Sequence, residues 1–334
     1  MDEKGRILNS RVLKDNEGRV IDYLRISVTD RCNFRCFYCM PQERVHFFPS
    51  NDILRYEEIL YLADIFIEMG IRKIRITGGE PLIRRNILFL FEELGKRKRL
   101  SELTLTTNGT RLSEYAQDLK QAGVRRVNVS LDSLNRETYK RISGIDDFER
   151  VIQGIEASKD LGLKLKFNVV AMKGINSDEF SDFVKFGIEK EIDIRFIEVM
   201  PQVYNNRIAE DLFVPSKVIK EEIEKVFRLE PLPASDPSST AALYRIEGSV
   251  STVGLISPLS HPFCSRCNKV RLMPNGCLKT CLFGKEGINL KTLLKKGMIK
   301  KELKKEIVKA VLKKPQKYYL DKGKVNLVMH RVGG

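Results

Sequence analysis

Long apolar runs are missing from this chain of 334 residues. No run approaches the roughly 18 apolar residues that a membrane-spanning helix needs. Residues 1–6 lead into no apolar stretch of the kind found in a secretory signal. The sequence therefore predicts a cytoplasmic protein without a membrane partner. Because thiols stay reduced in that compartment, its seven cysteines are expected to bind metal or act in catalysis instead of forming disulfides.

A fourth cysteine is missing from the first cysteine group. Cys32, Cys36 and Cys39 have the spacing C-x3-C-x2-C. Three thiolates are one too few to close a [4Fe–4S] cluster, so one iron would stay open to a small molecule, and open metal sites do chemistry. A zinc site would need a fourth ligand, for which His46 is the nearest candidate, and buried free thiols are another alternative. The spacing favours the open cluster.

The second cysteine group also lacks a fourth member. Cys264 and Cys267 are followed by Cys281 after thirteen intervening residues. A zinc ribbon that uses Cys277 as its fourth ligand is the alternative to a second open cluster. Two open clusters in one chain would be an unusual pairing, and that pairing indicates that the second cluster binds substrate.

Short β-rich runs alternate with amphipathic helices over residues 23–200. The predicted strands are 23–28, 73–77, 102–106, 126–131, 164–170 and 193–199, and the predicted helices are 56–69, 83–96, 112–122, 147–161 and 178–189. This alternation predicts right-handed crossovers and a parallel sheet. The strands are apolar on one face and polar on the other, whereas a sheet covered by helices on both faces is apolar on both. The sequence therefore predicts an α/β fold, an incomplete (β/α)6 barrel with a polar lumen.

Basic side chains recur on the polar face of these strands. They are Arg25, Lys73, Arg75, Lys166 and Arg195, with Lys164 as a further candidate. Buried cations need anionic partners, so the lumen is expected to hold a multiply charged anion, most simply a polyphosphate.

The alternation stops after residue 200. A helix over 215–227, a loop rich in Pro, Ser and Asp over 230–239, a β-hairpin over 243–259 and a helix over 289–314 are predicted there. We expect a core barrel domain over residues 1–212. A C-terminal α+β domain over 213–334 is expected to carry the second cluster and to close the barrel.

Aromatic residues are missing among the lysines of residues 291–317, which contribute to the net charge of +15. The apolar residues there recur at helical spacing, so the lysines form the solvated face of an ordinary amphipathic helix. Nucleic-acid binding is therefore not expected, because single-strand binders place aromatic side chains among their basic ones.

The motif Gly78-Gly79-Glu80 directly follows the second predicted strand. Glycines let the backbone approach a ligand closely, and barrel enzymes place their sites at this end of the strands. Together with the first cysteine group, the motif resembles the radical S-adenosylmethionine superfamily. The resemblance implies that the open iron binds S-adenosylmethionine, that Gly-Gly-Glu lies against the methionine amino group, and that one-electron cleavage yields a 5′-deoxyadenosyl radical.

Further motifs spread over nearly the whole chain are similar to the GTP 3′,8-cyclase family of molybdenum-cofactor (molybdopterin) biosynthesis. They include Arg75-Ile-Thr-Gly-Gly-Glu, Thr106-Thr-Asn-Gly, Val129-Ser-Leu-Asp, Phe263-Cys-Ser-Arg-Cys-Asn-Lys-Val-Arg-Leu and the terminal Gly333-Gly334. The resemblance implies a lyase that converts GTP to (8S)-3′,8-cyclo-7,8-dihydroguanosine 5′-triphosphate. It implies two [4Fe–4S] clusters and S-adenosylmethionine as cofactors, an external one-electron donor, and a cyclic pyranopterin monophosphate synthase that takes the product. A homodimer is an open option.

The same resemblance assigns roles to individual residues. The first cluster would be held by Cys32, Cys36 and Cys39, and the second by Cys264, Cys267 and Cys281. The S-adenosylmethionine site would comprise Tyr38, Gly78, Gly79, Glu80, Ser130 and Met200. The GTP site would comprise Arg25, Lys73, Arg75, Thr106, Lys166, Arg195, Lys269, Val270 and Arg271. The tail residues Gly333 and Gly334 would reach into the active site and support activity.

Two positions depart from the family pattern, and two other functions stay open. Lys269 stands where the family usually has Arg, so it lacks the planar fork that can orient a phosphate or base. Cys277 stands at a non-ligand position and is interpreted as a spare thiol. The alternatives are a radical enzyme that acts on a peptide and a basic, non-catalytic metal protein that binds RNA.

Overall fold

The structure is a computed structural model that describes residues 12–40, 45–200, 211–233, 238–284, 287–317 and 329–333. Its strands are β1 (Tyr23–Ser27), β2 (Lys73–Thr77), β3 (Glu102–Thr107), β4 (Arg126–Ser130), β5 (Lys164–Ala171), β6 (Asp193–Glu198), β7 (Leu229–Leu232), β8 (Ala241–Ile246), β9 (Thr252–Ile256), β10 (Lys269–Leu272) and β11 (Leu278–Lys279). Its helices are α1 (Tyr56–Glu68), α2 (Ile87–Gly95), α3 (Leu112–Gln121), α4 (Arg136–Ser143), α5 (Phe148–Asp160), α6 (Phe180–Lys190), α7 (Ser216–Glu224), α8 (Leu290–Lys295), α9 (Lys300–Leu312) and α10 (Met329–Val332).

All these strands form one mixed sheet in the order β11-β10-β1-β2-β3-β4-β5-β6-β9-β8-β7. Strands β1 to β6 are parallel and adjacent in chain order, which confirms the predicted α/β half-barrel. Two strands from the C-terminal part continue the parallel run, β10 beside β1 and β9 beside β6. The C-terminal part therefore supplies both flanks of the barrel sheet, while the predicted domain boundary at residue 212 stays a prediction.

The apolar face of the sheet packs against the helices in one continuous core. Ile74 and Ile76 of β2 are fully buried, as are Leu62 and Phe66 of α1, and all four belong to this core. Full burial of one such side chain contributes about 1.5–3 kcal/mol. The alternate positions of each strand thereby point to the opposite face, the lumen. None of the described helices is long and apolar enough to cross a membrane.

Some predicted elements differ from the observed ones for local reasons. The predicted helix 289–314 is two helices, because Gly297 has a φ of +76° and ends α8. The predicted loop 230–239 begins within β7, which pairs antiparallel with β8. Proline is tolerated in β7 because this strand lies at the edge of the sheet. Helix α4 was not predicted; its N-cap Asn135 accepts hydrogen bonds from the Glu137 and Thr138 amides.

Candidate active site

The first cysteine group lies in the loop that follows β1. All three thiols are half-buried and form no disulfide, and the carbonyl of Cys36 accepts the amides of Cys39 and Met40, each at 2.9 Å. Burial raises the pKa of Cys32 to about 12. The pKa of Cys36 is raised well above its usual value, first by burial and then by the charge of Cys39. The pKa of Cys39 is raised as well, first by burial and then by the charge of Cys32.

These mutual effects indicate that the three thiols lie near one another. Thiolates there are unfavourable without a neighbouring cation, and metal ions deprotonate the thiols that they bind. The donor set and its enclosure therefore fit an iron–sulfur cluster held by three cysteines. Within the described ranges, no three His, Cys, Asp or Glu side chains form a group that could hold a single metal ion.

Gly78 and Gly79 pack against the backbone that leads into the first cysteine group. The Gly79 amide donates to the Thr29 carbonyl at 2.7 Å, and the Glu80 amide donates to the Arg31 carbonyl at 2.8 Å. A Cβ atom added at Gly78 would lie 2.9 Å from the Thr29 carbonyl oxygen, closer than real contacts allow. The close approach that the sequence analysis attributed to a ligand is therefore made, in this structure, to the protein's own backbone.

The Glu80 carboxylate is 1% exposed and joins the ends of β2 and β3. One oxygen accepts the Leu82 amide at 2.9 Å and the Thr107 hydroxyl at 2.8 Å, and the other accepts the Asn108 amide at 2.6 Å. Burial raises the pKa of Glu80 to about 7, although these hydrogen bonds act to lower it. Asn108 in turn directs its side-chain amide at the Cys32 sulfur, 3.9 Å away. Glu80 thus positions the loops around the cysteine group, and its predicted contact with S-adenosylmethionine stays a prediction.

Replacing Glu80 with Gln is expected to destabilise the apo-protein by about 1–3 kcal/mol, because one amide would lose its acceptor and meet an NH₂ group in a buried site. Urea denaturation gives the change in the free energy of unfolding. Glu92→Gln is the matched control, since Glu92 is an exposed residue of α2. Equal effects of the two substitutions would contradict the role given to Glu80.

Tyr38 ties the cysteine loop to the carboxyl ends of β4 and β5. Its hydroxyl donates to Asp132 Oδ2 at 2.6 Å, while Asp132 Oδ1 accepts the Val170 amide at 2.8 Å. Burial raises the pKa of Asp132 to about 6. The half-buried Ser130 ends β4, and Met200 follows β6 by two residues. The predicted S-adenosylmethionine residues therefore come together at one end of the barrel, and Asp132 joins them as a residue that the sequence analysis did not assign.

Three arginines stand side by side in the lumen. Arg271 of β10, Arg25 of β1 and Arg75 of β2 are in register across the three parallel strands. Arg75 is 9% exposed and Arg271 is 7% exposed. Burial, followed by the charges of Arg271 and Arg75, lowers the pKa of Arg25 well below its usual value. Like charges held this closely favour a polyanionic ligand.

Two residues earlier in each of these strands, Tyr23 separates two lysines. Lys269 and Lys73 flank Tyr23 in register, and Lys269 Nζ lies 5.5 Å from the centre of the Tyr23 ring. Burial lowers the pKa of Lys269 to about 8. Between the lysine and arginine positions, the Val270 side chain is fully buried in the apolar core. The Val270 side chain therefore faces away from the lumen, as period-two alternation requires, and the predicted role of this residue in GTP binding stays a prediction.

The other predicted GTP residues lie across the barrel. Lys166 of β5 forms a 2.6 Å ion pair with Asp193, and burial, then Arg75 and Arg126, lower the pKa of Arg195 to about 10. The hydroxyl of Thr106 is buried and has no hydrogen-bond partner in the described part of the chain. A buried polar group without a protein partner is expected where a bound ligand supplies the missing hydrogen bond.

Two thiols of the second cysteine group lie near a buried lysine. The Lys314 ammonium donates to the carbonyls of Lys269, at 2.8 Å, and of Thr280. Burial lowers the pKa of Lys314, while the charges of Cys267 and Cys281 oppose that change, so both thiols lie near it. Burial alone would raise the pKa of Cys267, but Lys314 and its other neighbours outweigh burial and lower it. This setting favours a thiolate and fits a metal ligand.

Cys264 and Cys277 differ in their surroundings. The Cys264 carbonyl accepts the Cys267 amide at 3.2 Å and the Arg19 guanidinium at 2.5 Å, which fixes the turn between the two ligand candidates. Cys277 is 3% exposed and packs with Met273 and Val332 in a small apolar cluster. A zinc ribbon would require this thiol to turn out of that cluster.

The C-terminal tail enters the lumen beside the three arginines. The Gly333 carbonyl accepts a hydrogen bond from Arg25 Nη2 at 2.9 Å. Gly333 has a φ of +70° and lies against the side chains of Thr77 and Ser27, at the ends of β2 and β1. Gly334 lies outside the described residues. The predicted role of the tail in activity stays a prediction.

Comparisons with known proteins agree with this architecture. Residues 26–187 match the family model "Radical SAM superfamily", and residues 192–320 match "Molybdenum Cofactor Synthesis C". The chain is 44% identical to a GTP 3′,8-cyclase of Peptoclostridium acidaminophilum, over 98% of this chain and 99% of that one. It is 42% identical to a GTP 3′,8-cyclase of Moorella thermoacetica, over 96% of this chain and 100% of that one.

A solved structure shows the same fold at low sequence identity. Streptococcus suis SuiB bound to S-adenosylmethionine is 16% identical, with a TM-score of 0.61 over 83% of this chain and 67% of SuiB. The cysteine loop, the half-barrel and the near full-length relatives together identify the family. This chain belongs to the GTP 3′,8-cyclase family of the radical S-adenosylmethionine superfamily.

Proposed function

We propose that this chain is a lyase that converts GTP to (8S)-3′,8-cyclo-7,8-dihydroguanosine 5′-triphosphate, the first step of molybdenum-cofactor biosynthesis. Arg271, Arg25 and Arg75, which we call the arginine row, lie in register across three strands. The supporting observation is the position of this row between the two cysteine groups. Because β1 and β10 are parallel neighbours, Cys32 follows the carboxyl end of the pair and Cys267 precedes its amino end. Arg25 and Arg271 lie between these ends, in register. A nucleotide held there would meet both cysteine groups.

The first cysteine group would hold the radical-generating [4Fe–4S] cluster. When bound there, this cluster would supply the electron for reductive cleavage of S-adenosylmethionine, and the 5′-deoxyadenosyl radical produced would take the C3′ hydrogen of GTP. The chain's own contribution is enclosure and positioning. Glu80 and Asp132 fix the surrounding loops through buried hydrogen bonds, which keeps the cavity walls rigid. The barrel excludes water from the reacting atoms.

The lumen cations would bind the triphosphate and so fix C3′ near the first cysteine group. Arg25, Arg75 and Arg271 present planar guanidinium groups that can bind phosphate with two hydrogen bonds each. Lys269 offers a point charge instead of such a fork, so its contact with the nucleotide is expected to be less directional. The second cluster, held by Cys264, Cys267 and Cys281, would orient guanine for attack at C8.

Product analysis tests this function. Anaerobically reconstituted protein is incubated with S-adenosylmethionine, a one-electron reductant and either GTP or a peptide, and 5′-deoxyadenosine and nucleotide products are quantified. We expect 5′-deoxyadenosine release and a cyclised nucleotide with GTP only. Stimulation by the peptide, with GTP unchanged, would favour the peptide-modifying alternative. Zinc in place of iron, without cleavage of S-adenosylmethionine, would favour the RNA-binding one.

Cys267→Ala tests whether the two cysteine groups have separate roles. We expect this variant to keep part of the S-adenosylmethionine cleavage and to lose cyclisation, because only guanine orientation depends on the second group. The ratio of cyclised product to 5′-deoxyadenosine gives the readout. An equal decrease of both products would contradict this division between the groups.

Several further points belong to the same proposal. The electron would come from an external one-electron donor, and the product would pass to cyclic pyranopterin monophosphate synthase. A cytoplasmic location and a homodimer remain predictions. No role in nucleic-acid or membrane binding is proposed.

A further inference from the structure

A pocket lies at the amino ends of β3, β4, β5 and β6. We call it the basal pocket; it has a volume of about 840 Å³ and is lined by Arg126, Lys166, Glu102 and Asp193, among others. This volume is within the roughly 300–1,000 Å³ typical of small-molecule sites. Its lining has six basic and three acidic side chains, so it favours anions.

The strand register places Arg126 in the arginine row. Arg75 of β2 is in register with Thr104 of β3, and Thr104 with Arg126, the first residue of β4. Arg126 also shares strand parity with Ser130, which belongs to the predicted S-adenosylmethionine site, so both side chains leave the same face of β4. The row therefore extends from Arg271, close to the second cysteine group, to Arg126 at the rim of the basal pocket.

Arg126 is held by a carboxylate but keeps donors for a ligand. Its Nη2 lies 2.6 Å from Glu102 Oε1, and its buried Nε has no hydrogen-bond partner among the described residues. A guanidinium carries five N–H donors, so a single carboxylate oxygen leaves most of them available. Lys166 of β5 and Asp193 of β6 form a similar ion pair, with 2.6 Å between Lys166 Nζ and Asp193 Oδ2.

The pocket and the predicted lumen share a residue. Lys166 lines the basal pocket and belongs to the predicted lumen cations. The charge of Arg126 also acts on Arg195 together with that of Arg75, so the three guanidinium groups share one region. Such a group of cations is most stable around a ligand that carries several negative charges.

We propose that Arg126 binds the terminal phosphate of the substrate's polyphosphate chain, where the lumen opens into the basal pocket, and so selects a triphosphate over shorter chains. This inference rests on the proposed function, which places guanine at the opposite end of the row. A nucleotide that lies along the row directs its last phosphate towards Arg126. Arg126 is thus a substrate-binding residue, and Glu102 holds it in place when the site is free.

The test compares nucleotides that differ only in phosphate number. Radiolabelled GTP and GMP are bound by equilibrium dialysis to full-length, anaerobically reconstituted wild type and Arg126→Gln. One lost hydrogen bond between charged groups corresponds to about 10–150-fold in affinity, so we expect a 10–150-fold weaker GTP Kd. The GMP Kd should change less than about threefold, and kcat should change far less than KM.

Two matched substitutions separate binding from structure. Arg99→Gln makes the same charge change at an exposed residue outside the pocket lining and should leave the GTP Kd within about threefold. Glu102→Gln removes the carboxylate and should keep or strengthen GTP binding. If Glu102→Gln weakens GTP as Arg126→Gln does, Arg126 is only half of a structural ion pair and the proposal is wrong. It is also wrong if Arg126→Gln weakens GTP and GMP equally.

The remaining outcomes are assigned in the same way. Should Arg126→Gln not fold, Arg126→Lys replaces it, and an unchanged ratio of GTP to GMP affinity would overturn the proposal. If wild type binds GTP more tightly than GMP and Arg126→Gln has the same two affinities, this inference is wrong and the proposed function stands. Wild type that neither binds nor converts GTP overturns both.

Discussion

Replacing Cys36 with Ala is expected to reduce S-adenosylmethionine cleavage to the background of the reaction mixture without enzyme. Cys36 is the central residue of the first cysteine group, and its carbonyl closes the turn that carries Cys39 and Met40. The first cysteine group supplies three thiols, so the loss of one leaves two ligands for a cluster that needs three. 5′-Deoxyadenosine, measured by chromatography after anaerobic incubation with a reductant, gives the readout.

Cys277→Ala is the matched control for this loss. It also removes one thiol, but this thiol packs in the apolar cluster with Met273 and Val332. We expect the iron and sulfide content and the cleavage rate to stay near those of wild type. Iron counting on both variants separates the two positions. A variant of Cys36 that still cleaves S-adenosylmethionine, or a variant of Cys277 that loses a cluster, would overturn the ligand assignment.

Gly333→Ala is expected to reduce formation of the cyclised product by at least about tenfold. Its φ of +70° disfavours any Cβ, at a cost of about 1–2 kcal/mol, and the Cβ would also collide with Thr77. Each 1.4 kcal/mol corresponds to about tenfold in rate when it acts on the catalytic arrangement. The tail would have to leave the lumen, and Arg25 would lose the Gly333 carbonyl. Product formation from GTP at saturation measures the effect.

Gly297→Ala is the matched control, because it introduces the same backbone strain without a steric collision. Gly297 has a φ of +76°, yet a Cβ there would meet nothing within 4 Å. It lies between α8 and α9, away from the lumen residues. We expect a lower melting temperature for this variant but a turnover rate near that of wild type. Comparable losses of turnover in both glycine variants would mean that the tail acts through overall stability and not within the lumen.

The sequence predicted the lumen because strand periodicity is a local property. Apolar and polar residues alternate within each of the first six strands, so parity alone assigned Arg25, Arg75 and Lys166 to one face. The same parity could have identified Arg126, which begins β4 two residues before Asn128. It was missed although the fourth predicted strand, 126–131, begins at this residue. By the same parity the Val270 side chain falls on the opposite face, so its place in the predicted GTP site rests on the resemblance alone.

The partners of these strands could not be predicted in the same way. Strand β10 pairs with β1, with Arg271 opposite Arg25, although the two residues are far apart in the chain. No local pattern encodes this pairing, so the continuous row from Arg271 to Arg126 appears only in the folded chain. The same holds for Gly78 and Gly79, whose neighbours Thr29 and Arg31 precede them by nearly fifty residues.

The pairing of β10 with β1 and of β9 with β6 has a consequence during synthesis on the ribosome. A nascent chain that has emerged only to residue 200 has two uncovered strands, one on each side, ready to join strands of other molecules. At about 5–20 residues per second, the covering segments follow after on the order of ten seconds. Chaperone protection in that interval, more than the stability of the finished fold, would then limit the yield of native protein.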